Sequence, residues 1–575
     1  MKPGLAGLVA SDETTNSDFL NPRSEIDGDV AAVLDALGRD FTLVPEQGSS
    51  LTQAKLAPRR RTWLDTFDWR LHRAGLLLEY VPAHRGGELR LTARRSATQD
   101  PGENENPSMN TAGLIAAQPV AGWQSVRPHL AGDLPVGPVT DHVASVIGPR
   151  ALLPLVTVST DVGVTRLLNE DAKTVARLLV EHPALANGSV HPLSPRLTIA
   201  EVRGYSGSAR RAARIITEAT GFDPVQGDLL TEALAVGGRQ PGDYTSKIDA
   251  DITASMPSGQ AVAVVLLRLL DMAEANVPGV LADIDTEFLH DFRVAVRRTR
   301  AALKLFGAAL GRPADVARFA AEFKWLGDIT TPTRDLDVYL LGFEDLARKL
   351  KAAKPDDLEA FRDYLRGRRA KEYRALARAL RTMRFRDLTR EWRDKLTPLT
   401  PGSPGGAGSK RPKAPGISAA TLAAETTRKA FVKVARMGGA ITPDSPSESL
   451  HDLRKRCKEL RYALEFFAPL YAPSSYGRVI GDLKRLQDCL GTFQDNEVQI
   501  REIRSLATAM QAVHEAPAVT LLAMGEVAAG LVDGQAAARA DFGRRFSEFA
   551  GIEGQRRMSA LLRGGLNADL RHVQH

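Results

Sequence analysis

The feature that most constrains this chain is an internal repeat in its C-terminal half. The segment LHDFRVAVRRTRAALKLF, residues 289–306, recurs as LHDLRKRCKELRYALEFF, residues 450–467, at an offset of 161. A second block, EFKWLGDITTPTRDLDV at 322–338, recurs as DLKRLQDCLGTFQDNEV at 482–498, at an offset of 160. Two blocks in the same order and at nearly the same offset indicate a duplicated structural unit.

The duplicated half has the pattern of long amphipathic helices. Apolar residues recur at helical spacing from about residue 258, as in AVAVVLLRLLDMAEA, and a Pro/Gly/Ser-rich segment interrupts the pattern once. The final stretch shows no convincing core face, and we expect it to be disordered. The predicted parts are an all-α domain at 258–545, with repeat 1 at about 258–395, a linker at 396–418, repeat 2 at about 419–545, and a disordered tail at 551–575.

The N-terminal part has a different pattern, in which short β-like runs alternate with turns. RTWLDTFDWRL, GLLLEYV and LLPLVTVSTD are typical of strands, whereas residues 30–37 and 208–220 are typical of helices. We therefore predict an α+β or β-barrel-like domain over residues 20–222. A chain of 575 residues is long enough for two to four domains.

Composition narrows the class of protein and the kind of partner. No segment is long and apolar enough to span a bilayer, and the N-terminus lacks the apolar core of a signal peptide. Cys457 and Cys489 cannot form a disulfide framework, so we expect a cytoplasmic protein without a membrane partner. The net charge of +7 favours anionic partners. Thirteen Lys or Arg against five Asp or Glu between Arg362 and Lys395 predict a concentrated positive field there.

The repeated helix carries a cationic stripe beside its apolar stripe. At about 100° per residue, Phe292, Val296 and Leu303 share one face, and the basic residues share another. The same division holds in the second copy, with Leu453 and Leu460 on the apolar side. The first stripe comprises His290, Arg293, Arg297, Arg300 and Lys304, and the second comprises His451, Arg454, Lys458 and Arg461, with Lys455 beside it.

Two interpretations of these stripes are open. One is an ordinary solvated helix surface. The other is a binding surface for a polyanion, which is favoured because the stripes lack acids spaced to form i,i+4 pairs and because their residue types recur in both copies. Four or five cations on one face repel each other, and a bound polyanion relieves that repulsion.

The two histidines fit an orienting role better than a metal site. Each copy offers one histidine with one glutamate three residues earlier, Glu287 or Glu448, whereas a metal site needs several converging ligands. We expect each histidine to cap or orient a neighbouring arginine. No metal or other cofactor is predicted.

The paired segments EFLHDFRVAVRRTRAALKLF and ESLHDLRKRCKELRYALEFF resemble the CHAD domain, the conserved-histidine α-helical domain. The resemblance implies two pseudo-symmetric four-helix bundles around a basic pore or groove. It also implies binding of inorganic polyphosphate and association with polyphosphate granules. It adds Lys324, Lys484 and Arg485 to the two stripes as ligand-facing residues. We expect no nucleic-acid partner, because neither stripe contains an interleaved aromatic residue for base stacking.

WLDTFDWRLHRAGLLLEY and RLTIAEVRGYSGSARRAARII resemble parts of the CYTH fold, a triphosphate-tunnel barrel. That resemblance implies carboxylates that hold metal ions and basic residues that hold the triphosphate. The chain departs from the pattern at several positions, which puts catalysis in doubt. Asp29 replaces the lysine after Glu25 and Asp27, Glu79 and Val81 replace an arginine pair, Ile199 replaces one of two carboxylates beside Glu201, and Arg94 alone keeps a phosphate-facing charge. We expect a degenerate, non-catalytic domain; a metal-dependent triphosphatase or polyphosphatase is the alternative.

Overall fold

The computed structural model describes most of the chain. Two compact units are present, residues 1–245 and 246–575. The described residues are 22–46, 59–83, 86–94, 113–124, 126–186, 191–220, 228–401 and 417–571, with the backbone alone in 22–29 and 565–571. Most of the predicted linker at 396–418 lies outside these ranges.

The N-terminal unit is built on a nine-stranded antiparallel sheet. Its strands are β1 (Thr42–Pro45), β2 (Arg59–Thr66), β3 (Leu76–Ala83), β4 (Gly86–Ala93), β5 (Leu114–Val120), β6 (Leu152–Leu168), β7 (Thr174–Leu185), β8 (His191–Pro192) and β9 (Arg196–Glu201). Its helices are α1 (Pro22–Leu37), α2 (Arg70–Arg73), α3 (Pro138–Ile147), α4 (Ser206–Thr220) and α5 (Leu229–Val236).

The described strands form an open sheet. The order is β5-β4-β3-β2-β6-β7-β8, with β1 paired to β6 and β9 paired to β7. A barrel requires its two edge strands to pair with each other, and within the described residues β5 pairs only with β4. The predicted α+β domain with an antiparallel sheet is confirmed, but closure into a barrel or tunnel is not.

The tunnel residues expected from the CYTH resemblance do not form a set. Glu25, Asp27 and Asp29 fall in helix α1 and not on a strand, and their side chains are outside the described residues. Ile199 packs against the apolar core beneath α1 and α4, so Glu201, two residues later on β9, belongs to the same face of the sheet. The segment that holds Glu25 and Asp27 is therefore helical.

Two buried acids in the β2–α2 turn serve the fold. Asp65 accepts hydrogen bonds from the backbone N–H groups of Thr66, Leu71 and His72, at 2.7, 2.9 and 2.9 Å. Its pKa is raised to about 6, chiefly by burial. Asp68 lies 3.1 Å from Arg70 and 3.6 Å from the almost fully buried Arg150. This network fixes the turn that the sequence WLDTFDWRL encodes.

The C-terminal unit is helical. Its first copy contains α6 (Ser258–Leu281), α7 (Thr286–Phe306), α8 (Pro313–Leu341), α9 (Phe343–Ala347), α10 (Glu359–Leu380) and α11 (Met383–Leu396). Its second copy contains α12 (Ala419–Gly439), α13 (Ser447–Phe466), α14 (Pro473–Ala512), α15 (Ala518–Ala550) and α16 (Ile552–Arg571). In order and packing, α6, α7, α8, α10 and α11 correspond to α12, α13, α14, α15 and α16. No described helix has the length and apolarity that crossing a membrane requires.

The described part of the tail is helical, contrary to the expectation of disorder. Residues Ile552–Arg571 form α16, which packs against α12, α14 and α15. Met558 and Leu561 are both 2% exposed. The prediction of disorder rests on the small number of apolar residues in this segment. It is wrong for the described part, because those few residues reach the core. Helix α16 is the counterpart of α11: α11 packs on α6, and α16 packs on α12.

The two copies contact each other at several places within the C-terminal unit, among them the following two. One is an apolar cluster in which Leu336, Tyr339 and Phe343 of the first copy pack with Ile503 and Met524 of the second. The other is a direct contact between α7 and α13. The second contact brings together the two helices that carry the cationic stripes.

Candidate anion-binding site

Local sequence sets the orientation of the two stripe-bearing helices. The Asp285 carboxylate begins α7 by accepting hydrogen bonds from the backbone N–H groups of Glu287 and Phe288, at 2.9 and 3.1 Å. The apolar stripes of both helices are buried. The buried residues that were expected to face the core are Phe292, Val296, Thr299, Leu303 and Phe306 in α7, and Leu450, Leu453, Cys457, Leu460, Leu464 and Phe467 in the second copy. The cationic stripes are therefore left on the other faces.

Lys458 on α13 is the point at which the two stripes meet. It is half-buried, and its pKa is lowered to about 8 by burial and by the charges of Arg454, Arg297 and Arg461, while Asp495 acts in the opposite direction. Arg297 belongs to the first copy and the other two arginines to the second. In the described part of the chain Lys458 forms no ion pair. Burial and the three arginines therefore outweigh the opposing charge of Asp495 and disfavour the ammonium form.

Arg293 is fixed by helix α8. Its Nη1 donates to the Gly327 carbonyl oxygen at 3.2 Å, to Thr330 Oγ1 at 3.3 Å and to Thr331 Oγ1 at 2.5 Å. Burial lowers its pKa; Arg297 and other nearby arginines add to this effect, and Asp335 opposes it. The guanidinium thus donates its hydrogen bonds to neutral oxygens, and Asp335 offsets part of its charge without forming an ion pair with it.

Gly327 makes room for another cation of the stripe. A Cβ at this buried position on α8 would come within 2.6 Å of Arg300 Nη1. The glycine therefore allows the Arg300 guanidinium to lie against the α8 backbone. Sequence reasoning missed Gly327 and Thr331 as residues that position the stripe. The repeat gave no signal for them, because at an offset of 160 Gly327 corresponds to Gln487 and Thr331 to Gly491.

Three more cations of the predicted set form no ion pair within the described part of the chain. Arg297, Arg300 and Lys484 are all exposed. None of the three forms an ion pair with any residue that the structure describes. Arg297 acts on Lys458, and both Arg297 and Arg300 act on Arg293, so these two arginines belong to the cluster of cations around the meeting point of the copies.

Besides Arg485, five members of the predicted set have acidic partners. The pairs are Arg454–Asp495 at 3.0 Å, Lys455–Asp452 at 3.1 Å, Arg461–Glu465 at 2.6 Å, Lys324–Asp328 at 2.7 Å and Lys304–Glu459 at 2.5 Å. The expectation that the stripes lack acids at i,i+4 is wrong for Arg461, whose partner Glu465 lies one turn onward on the apolar side of the stripe. The second stripe is consequently more neutralised than the first.

Arg485 also has acidic partners. It pairs with Asp482 and lies 3.9 Å from Glu548, and Asp482 is also 2.8 Å from Arg557 on α16. These contacts fasten the C-terminal helices to α14. A ligand role for Arg485 stays a prediction, with its charge already engaged.

The structure places both histidines near the beginning of their helices. His290 and His451 are half-buried. Among the described residues, no group of three or more His, Cys, Asp or Glu is arranged to hold a metal ion. The proposed orienting role of the histidines stays a prediction.

The basic run between Arg362 and Lys395 is not the concentrated positive field that its sequence suggested. Seven of its thirteen cations form ion pairs among the described residues. Five of those seven use acids from outside the run, as when Arg369 pairs with Asp283 and Asp337. For this run the ordinary solvated surface is the better interpretation.

A cavity of about 180 Å³ lies between α8, α10 and α14, close to the first stripe. Three carboxylates, those of Asp335, Glu372 and Glu502, line it together with Arg368. Burial raises the pKa of Asp335 and of Glu502. The excess of acids makes this cavity a poor place for an anion, which leaves the surface around Lys458 as the candidate site.

Comparison with known families and structures bears on the C-terminal unit. Residues 264–504 match the model of the CHAD domain. Two solved structures are similar to the chain. The crystal structure of the CHAD domain from the plant Ricinus communis is 24% identical, with a TM-score of 0.43, and covers 55% of this chain and 96% of that one. PptA from Streptomyces chartreusis is 19% identical, with a TM-score of 0.37, and covers 51% of this chain and 99% of that one. No curated protein shows significant similarity.

Proposed function

We propose that this chain, whose residues 264–504 form a CHAD domain, binds inorganic polyphosphate at the surface where α7 and α13 meet. One observation carries the proposal. Lys458 is half-buried beside three arginines drawn from both copies and has no acidic partner among the described residues. A bound anion supplies the missing negative charge. The CHAD family is associated with the binding of polyphosphate, which is an anion and so suits a cationic site.

A phosphate chain fits the chemistry of the available donors. Arg297 and Arg300 are exposed arginines without ion pairs to described residues, and a guanidinium offers forked donors that match phosphate oxygens. The ammonium groups of Lys458 and Lys484 act as point charges. A flexible polyanion can contact Arg297, Arg300 and Lys458 together and release the counterions condensed on it. The stripes consist of histidine, arginine and lysine and contain no phenylalanine, tyrosine or tryptophan on which nucleic-acid bases could stack.

We propose further that the chain does not hydrolyse its ligand and that it associates with polyphosphate granules in the cytoplasm. The first part rests on the N-terminal unit, where Val81 and Ile199 stand at positions that the CYTH resemblance assigns to charged residues. Release of inorganic phosphate from tripolyphosphate, with Mg²⁺ or Mn²⁺ present, would contradict it. A fluorescent fusion that stays diffuse in cells rich in polyphosphate would contradict the second part.

Binding itself is tested with the full chain and labelled long-chain polyphosphate, by fluorescence anisotropy over a series of salt concentrations. The variant Arg297→Gln/Arg300→Gln/Lys458→Gln should bind weakly and show a shallower slope of log affinity against log salt. The control Arg366→Gln/Arg390→Gln/Lys429→Gln removes the same charge from exposed ion pairs elsewhere and should bind like wild type. Equal affinity of the two variants would reject the site.

A further inference from the structure

The contact between α7 and α13 contains two ion pairs that join the copies. Arg298 Nη2 lies 3.2 Å from Glu465 Oε2, with both side chains largely buried, and Lys304 Nζ lies 2.5 Å from Glu459 Oε1. At the offset of 161 that relates the copies, Arg298 corresponds to Glu459 and Lys304 to Glu465. Arg298 of the first copy thus pairs with the equivalent of Lys304 in the second, and Lys304 pairs with the equivalent of Arg298. This reciprocal pairing is that of a two-fold symmetric interface.

Aromatic side chains form the apolar part of this contact. Phe306 is buried, with its ring centroid 4.8 Å from that of Phe466 and 5.0 Å from that of Phe467. Phe306 and Phe467 are equivalent positions of the two copies. The charged pairs thus belong to a packed interface and not to a loose surface crossing.

One carboxylate of this interface also holds a cation of the candidate site. Glu465 Oε1 accepts a hydrogen bond from Arg461 Nε at 2.6 Å, while Oε2 faces Arg298 of the other copy. Arg298 directly follows Arg297, one of the charges that act on Lys458. Glu459 is similarly shared, between Lys304 and Arg456. The interface and the site are therefore mechanically connected through side chains.

We infer that Glu459 and Glu465 are positioning residues that set the spacing between the two cationic stripes, and that they thereby favour phosphate chains long enough to contact both copies. The inference rests on the proposed function. Neither carboxylate touches the ligand. Each carboxylate acts through the cations that it holds in place. These are Arg298 and Arg461 for Glu465, and Lys304 for Glu459.

The variant Glu459→Gln/Glu465→Gln tests this through the sign of its effect. If the two acids merely lower the local positive potential, their removal strengthens the binding of every polyanion. If they set the spacing, the affinity for long-chain polyphosphate falls by about fivefold or more, while the affinity for tripolyphosphate, which is too short to need both stripes, stays the same or rises. The apolar cluster between the copies keeps the variant folded.

Asp452→Asn provides the reference for simple electrostatics. Asp452 is an exposed acid of α13 that pairs with Lys455 of its own helix. This variant should bind both ligands as tightly as wild type or more tightly. Long-chain binding by Glu459→Gln/Glu465→Gln that equals or exceeds wild type overturns the inference. Should the double variant fail to fold, Glu459→Gln alone is judged by the same signs. If the wild-type chain itself binds no polyphosphate, the proposed function fails instead.

Discussion

Arg297 of α7 lies close enough to Lys458 of α13 to help lower the pKa of that lysine, although the two residues come from different copies of the repeat. Repulsion of this kind costs free energy in the unliganded protein, and it is tolerated in native structures chiefly where an anion relieves it. The following expectations depend on that relationship and on the geometry around it.

Replacing Lys458 should separate binding from stability. Lys458→Met keeps the length of the side chain and removes a half-buried charge that burial and three arginines disfavour. We expect weaker polyphosphate binding and a free energy of unfolding higher by ~1 kcal/mol at pH 7, a figure discounted for the partial exposure of the side chain. Urea denaturation and anisotropy measure the two effects. Lys429→Met, at an exposed pair on α12, should change neither. A destabilised Lys458→Met protein would contradict the electrostatic argument.

Binding should depend on pH through the same residue. The lysine pKa of about 8 in the free protein means that the ammonium form is nearly complete below about pH 7, is half populated near pH 8 and declines above it. A bound polyanion raises that pKa, so affinity should be constant below about pH 7 and fall as pH rises past 8. Unliganded stability should change oppositely, since the unfolded chain keeps the proton up to about pH 10.5 and stability therefore rises between about pH 8 and 10.5. Lys458→Arg, which stays charged, should remove both effects, and a persisting step would assign them to another group.

The two stripes should contribute unequally. Arg454 and Arg461 already pair with Asp495 and Glu465, whereas Arg297 and Arg300 form no ion pair with described residues. Arg297→Gln/Arg300→Gln should therefore weaken binding more than Arg454→Gln/Arg461→Gln and should lower the salt slope by about two, one for each phosphate contact. Isothermal titration at several salt concentrations compares the two variants. The reverse order of affinities would show that the acids are not in competition with the ligand.

Gly327→Ala should strengthen α8 and weaken the site. Alanine in place of glycine inside a helix stabilises by up to about 1 kcal/mol, but its Cβ meets Arg300 Nη1 at 2.6 Å and displaces this flexible side chain. We expect an unchanged or higher melting temperature together with lower polyphosphate affinity. Gly477→Ala, on α14 with open space around the added carbon, is the matched control and should leave affinity unaltered. Normal affinity of Gly327→Ala would remove Arg300 from the site.

The tail helix should be required for stability. Leu561 is 2% exposed on α16, so Leu561→Ala should lower the free energy of unfolding by about 2–5 kcal/mol. Ile552, 73% exposed at the beginning of the same helix, offers the matched control Ile552→Ala, which should cost little. Equal urea midpoints for the two variants would mean that α16 does not pack as described.

What the sequence could predict follows from the range of its interactions. The burial of Phe292 and Leu460 depends on helical periodicity and on their own helix, so local spacing was sufficient. The partner of Lys304 is Glu459, 155 residues away, and that of Arg369 is Asp283, on a different segment. A count of charges within one segment omits acids that are distant in sequence. It therefore overestimated the net positive charge around the run between Arg362 and Lys395. The same limit applies to α16, whose core contacts come from three other helices.

The repeat itself could have revealed more than it did. Comparing Arg298 with Glu459 and Lys304 with Glu465 at the known offset exposes a reversal of charge between the copies. That reversal is what a contact between equivalent surfaces requires. Closure of the sheet, by contrast, depends on whether the strands at its two edges pair with each other. The periodicity of residues near β5 and β8 does not indicate which strands pair.

The reversal has a consequence for molecules crowded along one phosphate chain. Two first copies brought together would set cations against cations at both positions, and two second copies would set acids against acids. Each half therefore recognises only a half of the opposite kind, and its nearest opposite is always in its own polypeptide. Neighbours that share a ligand can stand side by side without trading halves, so a dense coat of this protein can stay an assembly of separate molecules.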